Sequence, residues 1–159
     1  QFVIDSGMGD DLGYVPVDKH TLLADGHDNI FVVGDATNVP TSKAGAVAHF
    51  EVEIFTDNFL AAIAGKPLPN RFDGHANCFV EAGRGQALLL DFNYETEPLT
   101  GHFPAPVVGP MKLLGLSRIN HLGKLAFEHI YWNLLMKGKK LPVPTEMSMV
   151  GKVPAGEEK

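Results

Sequence analysis

The stretch that decides the fold is Asn29-Ile30-Phe31-Val32-Val33-Gly34-Asp35-Ala36-Thr37, and Pro40-Thr41-Ser42-Lys43-Ala44-Gly45 follows it closely. Residues 30–33 are β-branched or aromatic and do not alternate with polar residues, which is typical of a buried strand in a parallel sheet. Gly34-Asp35 ends this run. A strand, a short turn and then a helix are therefore predicted.

The helix is predicted from about Lys43 to Ala64. Thr41 or Ser42 is a suitable N-cap, and Gly65, followed by a proline two residues later, is a suitable stop. The apolar residues at three- and four-residue spacings, which define its predicted buried face, are Ala44, Val47, Ala48, Phe55, Phe59, Leu60 and Ile63.

The strand end and the helix start bring two kinds of ligand group together. The Asp35 carboxylate can accept hydrogen bonds from sugar-like hydroxyls, and the N–H groups near Lys43-Ala44 carry about half a positive charge. A flavin nucleotide needs both, because its ribityl chain carries hydroxyls and its reduced ring gathers negative charge. The alternative is that Gly34-Asp35 is only a strand-ending turn and Ser42 only a helix cap.

The rest of the chain predicts a β-hairpin and a second amphipathic helix. Residues 78–81 and 86–92 are predicted strands, joined by a turn at Gly83-Arg84-Gly85. The helix is predicted from about Arg118 to Met136. Its predicted apolar face consists of Leu122, Leu125, Ala126, Ile130 and Leu134.

Composition narrows the class of protein. The 159 residues carry a net charge of -6, which argues against nucleic acid as a partner. Residues 106–140 carry six basic residues and one acid, a net charge of +5, which indicates that this segment faces something other than bulk water.

The single cysteine, Cys78, excludes an internal disulfide, and no apolar run predicts a transmembrane helix. Histidine spacing indicates no metal site.

Residues 33–51, Val-Gly-Asp-Ala-Thr-Asn-Val-Pro-Thr-Ser-Lys-Ala-Gly-Ala-Val-Ala-His-Phe-Glu, resemble the second FAD-binding motif of the sulfide:quinone oxidoreductase family. Residues 2–18, 77–81 and 123–133 resemble further segments of that family, so the resemblance covers most of residues 2–142. The family's amino-terminal Gly-x-Gly-x-x-Gly fingerprint and its other redox cysteines are absent from these residues. The chain also begins without Met, and we expect it to be the carboxy-terminal portion of a longer flavoprotein.

The resemblance implies an α/β fold in three parts. Residues 1–70 would be the carboxy-terminal part of an FAD-binding, Rossmann-like domain that lacks its first βαβ unit. Residues 71–142 would contribute a β-hairpin and amphipathic helices that face the membrane and quinone. Residues 143–159 would form an extended tail.

The resemblance also implies roles for individual residues. The expected FAD-binding residues are Gly34, Asp35, Ser42, Lys43 and Ala44. Asp35 would bind the ribityl chain, and Lys43-Ala44 would lie near the flavin ring. Cys78 would be catalytic, one of two cysteines flanking the flavin that carry sulfide sulfur as a persulfide or disulfide before two electrons pass to FAD. That role requires a thiolate, and a cation such as Lys43 would lower the pKa of Cys78. From residue type alone, Cys78 is more simply an inert buried side chain.

The basic late segment predicts contact with a membrane, because Phe127, Tyr131 and Trp132 lie among lysines. A helix docked on its own protein is an equal alternative. Residues 104–115 are a second candidate for membrane contact or for the wall of a quinone channel. The expected partners are a missing amino-terminal half, a membrane quinone and a membrane surface, with a peripheral location at a bacterial inner membrane. Exposed apolar surface would also favour self-association into a homo-oligomer.

Two other functions fit the same residues. A flavoprotein like type II NADH dehydrogenase would use the same flavin motif without a redox cysteine. A non-catalytic module for membrane binding or dimerisation would bind no flavin at all.

Three residues of the first predicted helix are given structural roles only. His49 is predicted to be a packed or capping residue, and Glu51 and Glu53 are predicted to be solvated.

Overall fold

The computed structural model describes residues 2–105, 109–140 and 143–154, which divide into two compact units, Gln1–His75 (unit 1) and Ala76–Lys159 (unit 2). The helices are α1 (Phe2–Asp5), α2 (Gly45–Ile63) and α3 (Arg118–Asn133), with 3-10 turns at Gly34–Ala36 and Leu135–Lys137. The strands are β1 (Ala76–Gly83), β2 (Gln86–Phe92), β3 (Thr100–Phe103), β4 (Met111–Leu113) and β5 (Lys152–Val153). The predicted α/β class is confirmed. Residues 106–108 of the predicted quinone-facing segment and residues 155–159 of the predicted tail lie outside the described ranges.

Unit 1 holds its extended segments together by isolated bridges. Leu23 pairs with Phe31 in an antiparallel bridge, and Val15 pairs with Thr37 in a parallel one. Residues 30–33 are half-buried and form no ladder beyond the Phe31 bridge. The prediction of a fully buried strand in a parallel sheet is therefore wrong for this unit, because no neighbouring strand pairs along the whole run within residues 2–75.

Helix α2 is present where the sequence predicts it, and it ends as predicted at Gly65. The φ of Gly65 is +64°, a left-handed value suited to glycine, and its N–H bonds to the Ala62 carbonyl. The N-cap is Ala44, without a side-chain cap hydrogen bond. Neither predicted cap, Thr41 or Ser42, is the N-cap residue, and the Thr41 hydroxyl donates to the Gly74 carbonyl at 2.7 Å.

The buried face of α2 differs from the prediction. Phe59, Leu60 and Ile63 are exposed. The residues that are buried are Val47, Phe50, Glu51, Ile54 and Asn58. They follow helical spacing, but two of them are polar. Since α2 has apolar residues on both sides, periodicity alone did not identify the side that packs.

Unit 2 is a five-stranded mixed sheet in the order β1-β2-β4-β3-β5, with α3 packed on β1, β2 and β4. The predicted hairpin is confirmed, and β1 and β2 pair in antiparallel register with Gly83 opposite Gln86. The two loop residues, Arg84 and Gly85, have φ values of 53° and 68°, as a type I′ turn requires. Two residues of the predicted tail form β5 on the edge of β3. There the Lys152 ammonium lies 2.7 Å from the Asp91 carboxylate, and both side chains are almost fully buried.

Helix α3 also begins where predicted, but it packs through a different face. Its Ser117 cap accepts from the Ile119 N–H at 3.0 Å. Gly123 allows close approach, since an added Cβ would lie 3.1 Å from the Met111 sulfur and 3.3 Å from Phe79. Leu122 and Leu125, which were predicted to be buried, point to solvent.

The side chain of Asn120 ties α3 to the sheet. It is fully buried, its Oδ1 accepts from the Lys112 N–H at 3.1 Å, and its Nδ2 donates to the Lys112 carbonyl at 2.8 Å. Further carbonyls of Gly115 and Ala87 lie 3.1 and 3.3 Å from Nδ2. The amide therefore pairs with β4 as a neighbouring strand would.

We expect Asn120→Ala to lower the free energy of unfolding by about 3 kcal/mol, because it leaves several buried backbone groups without a partner. Urea denaturation followed by circular dichroism measures this. Asn133→Ala is the control, since Asn133 is exposed at the end of the same helix and should change stability by less than about 0.5 kcal/mol. Equal losses from the two variants would contradict the assigned role of Asn120.

Candidate functional site

The Gly34–Ala36 turn carries Asp35 at the surface of unit 1. The φ of Gly34 is +70°, a left-handed value that disfavours any other residue. Its N–H donates to the Glu51 carboxylate, and its carbonyl accepts from the Thr37 N–H at 3.1 Å and the Thr37 hydroxyl at 3.0 Å. The turn is thus fixed on both sides, while the Asp35 side chain is exposed.

The start of α2 is open. Ala44 provides no side-chain acceptor for the first N–H groups, and no acidic residue lies in the first turn. Gly45 is exposed, and a Cβ added there would meet nothing within 4 Å. The positive end of a 19-residue helix is therefore accessible to an acceptor atom from outside.

Lys43 adds a positive charge beside the turn. Its ammonium donates to the Thr37 carbonyl at 2.5 Å and lies 5.1 Å from the centroid of the Tyr14 ring. Ser42, the residue before it, is half-buried and precedes the Ala44 N-cap by two residues. The structure therefore gathers a carboxylate, a cation and an open helix start within one unit, all from the segment that the sequence singled out.

Glu51 is the member of this group that sequence reasoning missed. The prediction that it is solvated is wrong, because Glu51 is 1% exposed. Burial raises its pKa above the ordinary value of 4.5, although the hydrogen bond from Gly34 and the charge of Lys43 act in the opposite direction. Its spacing from Val47 and Ile54 was the available signal, since it places Glu51 on the same helical face.

These residues fit part of a flavin nucleotide. The exposed Asp35 carboxylate can accept hydrogen bonds from hydroxyl groups. The open helix start offers N–H donors to a carbonyl or to a developing negative charge, and Gly45 leaves space for close approach. A pyrophosphate would need a further set of donors, for which the 159 residues hold no Gly-x-Gly-x-x-Gly sequence.

Cys78 lies in unit 2, in the middle of β1 and directly opposite Leu90. It is half-buried. Because side chains alternate along a strand, Cys78 shares one face of the hairpin with Val80 and Leu88. Next to it, the Nδ2 of Asn77 is buried without a hydrogen-bond acceptor among the described residues. The predicted effect of Lys43 on the pKa of Cys78 remains a prediction.

The polar side chains of Glu81 and His75 make contacts within their own units. The Glu81 carboxylate on β1 accepts from the Lys124 ammonium at 2.9 Å and lies 2.8 Å from the His121 Nδ1. The Lys124 hydrogen bond and then the His121 contact hold the pKa of Glu81 below its usual value. His75 is buried and stacks on Phe50 with ring centroids 4.7 Å apart. Within the described ranges, no group of three or more His, Cys, Asp or Glu side chains could hold a metal ion.

The chain is similar in sequence to curated proteins from several organisms. No family model matches it. The mitochondrial sulfide:quinone oxidoreductase of Schizosaccharomyces pombe is 28% identical over 142 residues, covering 88% of this chain and 30% of the relative. The proteins of the same name from Mus musculus and Dictyostelium discoideum are 28% and 31% identical over 84% and 80% of this chain, and 28% and 27% of those relatives. The chain thus spans less than a third of the length of the curated relatives that it matches.

A solved structure shows a similar fold. A chain in the cryo-EM structure of the Tetrahymena thermophila mitochondrial ATP synthase, an F1Fo composite tetramer, superposes with a TM-score of 0.59 at 23% identity. The match covers 82% of this chain and 28% of that chain, and it concerns the fold alone. By sequence, the chain is a relative of the sulfide:quinone oxidoreductases, as the motif over residues 33–51 predicts.

Proposed function

We propose that these residues form the portion of a sulfide-oxidising flavoprotein that closes over FAD. One observation carries the proposal: the Asp35 turn is held against α2, beside the open start of the same helix. The segment that contains both features is also the segment that resembles the family's flavin motif. The relatedness to sulfide:quinone oxidoreductases supports the choice of flavin over other nucleotides.

The roles of the chain's own residues follow from their chemistry. The Asp35 carboxylate accepts hydrogen bonds from the ribityl hydroxyls, and Gly34 gives the turn the shape that presents it. Ser42, Lys43 and Ala44 lead into the open helix start, whose N–H groups and positive end favour negative charge on a nearby ring. FAD, when bound, supplies a two-electron acceptor.

Cys78 is assigned the sulfur chemistry. In this role, sulfide would open a disulfide between Cys78 and a second cysteine that is not among these residues, which leaves a persulfide on one cysteine and a thiolate on the other. Bound FAD would supply the two-electron acceptor that lets the disulfide form again after the outer sulfur has left, and a membrane quinone would take the electrons from it. A hairpin strand is a suitable carrier, since it holds the thiol on a rigid element.

The exposed apolar surface of unit 2 supports a position at a membrane. Large apolar side chains that point to solvent before, on and just after α3 are Leu114, Leu116, Ile119, Leu122, Leu125, Trp132 and Met136. Lys112, Arg118 and Lys124 lie among them, and all three are exposed. Such a mixture suits the lipid interface, where leucines enter the acyl boundary and lysines meet anionic headgroups. Among the described helices, none has the length and apolar character to cross a bilayer.

We place the protein peripherally at a membrane that contains its quinone. The relatives from S. pombe, M. musculus and D. discoideum are named as mitochondrial. The bacterial inner membrane remains a prediction for this chain. An enzyme like type II NADH dehydrogenase, and a non-catalytic module for membrane binding or dimerisation, remain alternatives that the experiments below distinguish.

Cys78→Ser tests the sulfur chemistry in the protein expressed from the complete reading frame that contains these residues. We expect sulfide-dependent bleaching of bound flavin to slow by about a hundredfold or more, because serine cannot carry sulfur. Dithionite should still bleach the flavin. Ala82→Ser, on the exposed end of the same strand, is the matched control and should keep the wild-type rate. Undiminished sulfide-dependent bleaching in Cys78→Ser would contradict the proposal, and bleaching by NADH would favour the alternative enzyme.

The isolated 159-residue chain is expected to bind FAD weakly or not at all and to be inactive, because it offers no glycine fingerprint for the pyrophosphate. Equilibrium dialysis against FAD, with the absorbance of the retained flavin as readout, measures this. A tight one-to-one complex of the isolated chain would contradict the assignment of the remaining contacts to other residues.

Flotation with lipid vesicles tests the membrane surface. We expect the chain to bind vesicles that contain anionic phosphatidylserine, and Leu122→Glu with Leu125→Glu to reduce binding by about tenfold or more, since each buried leucine contributes about 1.5 kcal/mol or more. The matched control is Leu60→Glu with Ile63→Glu on α2, because Leu60 and Leu122 are 60% and 61% exposed. Equal binding by the two double variants would show that this face of α3 does not enter the membrane.

A further inference from the structure

The buried Glu51 carboxyl lies where it can control the Asp35 turn. Glu51 is in the second turn of α2, and its Oε2 accepts the Gly34 N–H. One helical turn earlier on the same face, the Ala48 methyl group would lie 3.7 Å from a Cβ added to Gly34. Gly34 is therefore held to α2 by one hydrogen bond, next to the position of the Ala48 methyl group.

We propose that Glu51 is a positioning residue for Asp35: by holding the Gly34 N–H, it fixes the turn that presents the Asp35 carboxylate beside the start of α2. The identity of the group that Asp35 binds rests on the proposed function. The mechanical link from Glu51 through Gly34 to Asp35 does not depend on it.

The backbone conformation explains why an acceptor is needed here. A left-handed Gly34 directs its N–H toward α2, while its carbonyl is occupied by Thr37. Without an acceptor from α2, a part-buried N–H would lose its hydrogen bond, which is costly enough to let the turn rearrange. A neutral amide oxygen at the same position would satisfy the N–H as well as a carboxylate does.

The charges around Glu51 make the link measurable. Lys43, just before α2, and Asp35, on the turn, are the charged groups that act on it. Because burial raises the pKa of Glu51, its stabilising contribution is fully present below the ordinary value of 4.5 and is lost as the pH rises through the raised pKa. The Gly34 N–H, in contact with the carboxyl, senses that change directly.

The test is a pH series of proton–nitrogen correlation spectra of the ¹⁵N-labelled chain, with the Gly34 amide as reporter. In the wild type, we expect the Gly34 amide to shift with a midpoint above 4.5. In Glu51→Gln, the amide should keep its hydrogen-bonded position, and that titration step should disappear. Glu53→Gln, a half-exposed glutamate on the same helix, should retain the wild-type titration.

Glu51→Ala removes the acceptor altogether. Here we expect the Gly34 and Thr37 amides, which are both hydrogen-bonded in the wild type, to exchange with deuterium about tenfold faster or more, because the turn is no longer held. If Glu51→Ala fails to fold, Glu51→Gln decides alone. A Gly34 amide that titrates in Glu51→Gln as it does in the wild type would overturn the proposal.

A titration of the same labelled chain with FAD separates this proposal from the proposed function. At high FAD concentration, we expect amide shifts confined to residues 34–47 in the wild type and in Glu51→Gln, and weaker shifts in Glu51→Ala. Because the isolated chain is expected to bind FAD weakly or not at all, an absence of response in every variant, together with the expected behaviour of Gly34, would support the positioning role and leave the flavin assignment to the experiment on the complete protein. Equal FAD shifts in Glu51→Ala and the wild type would overturn the positioning role.

Discussion

The hydrogen bond from the Gly34 N–H to the buried Glu51 carboxyl is the interaction on which the candidate site depends. It joins the turn that carries Asp35 to the helix whose open start lies beside it. Thr37 holds the other end of the turn, and Lys43 in turn binds the Thr37 carbonyl. A carboxylate and a set of free N–H donors are thus held in one unit by contacts from a single stretch of the chain, which is the arrangement that recognition of a polyhydroxylated, partly anionic cofactor requires.

In unit 2, too, the hydrogen bonds of one buried side chain hold a helix in place, and that side chain is Asn120. The Asn120 amide bonds both backbone groups of Lys112 in β4, and α3 packs through Gly123 while Leu122 and Leu125 stay exposed. Helix α3 packs on the sheet through the hydrogen bonds of Asn120 and the close approach at Gly123, and not through its apolar stripe. That stripe is therefore available to another partner. The cysteine of the same unit lies on a rigid hairpin. We therefore propose that unit 1 binds the cofactor and that the exposed face of α3 in unit 2 meets a lipid interface.

The sequence predicted the positions of the helices and of the hairpin better than it predicted which side of each helix is buried. The helices at 45–63 and 118–133, the hairpin and the stop at Gly65 follow from spacing and from glycine chemistry, which are local properties. The packing faces do not, because α2 is apolar on both sides and α3 packs through Asn120 and Gly123. Glu51 was predicted to be solvated, and its hydrogen-bond partner, the Gly34 N–H, is 17 residues away, beyond the reach of local spacing rules. The prediction of a strand at residues 30–33 was wrong for a similar reason. A segment becomes part of a β-ladder only if neighbouring strands pair with it, and its own sequence does not show whether they do.

The most direct measurement is an experimental structure of the protein from the complete reading frame with its cofactor bound. We expect the Asp35 carboxylate to lie within hydrogen-bonding distance of a ribityl hydroxyl, with the first N–H groups of α2 facing the flavin ring. A flavin bound elsewhere, with Asp35 in solvent and the start of α2 covered by protein, would contradict it.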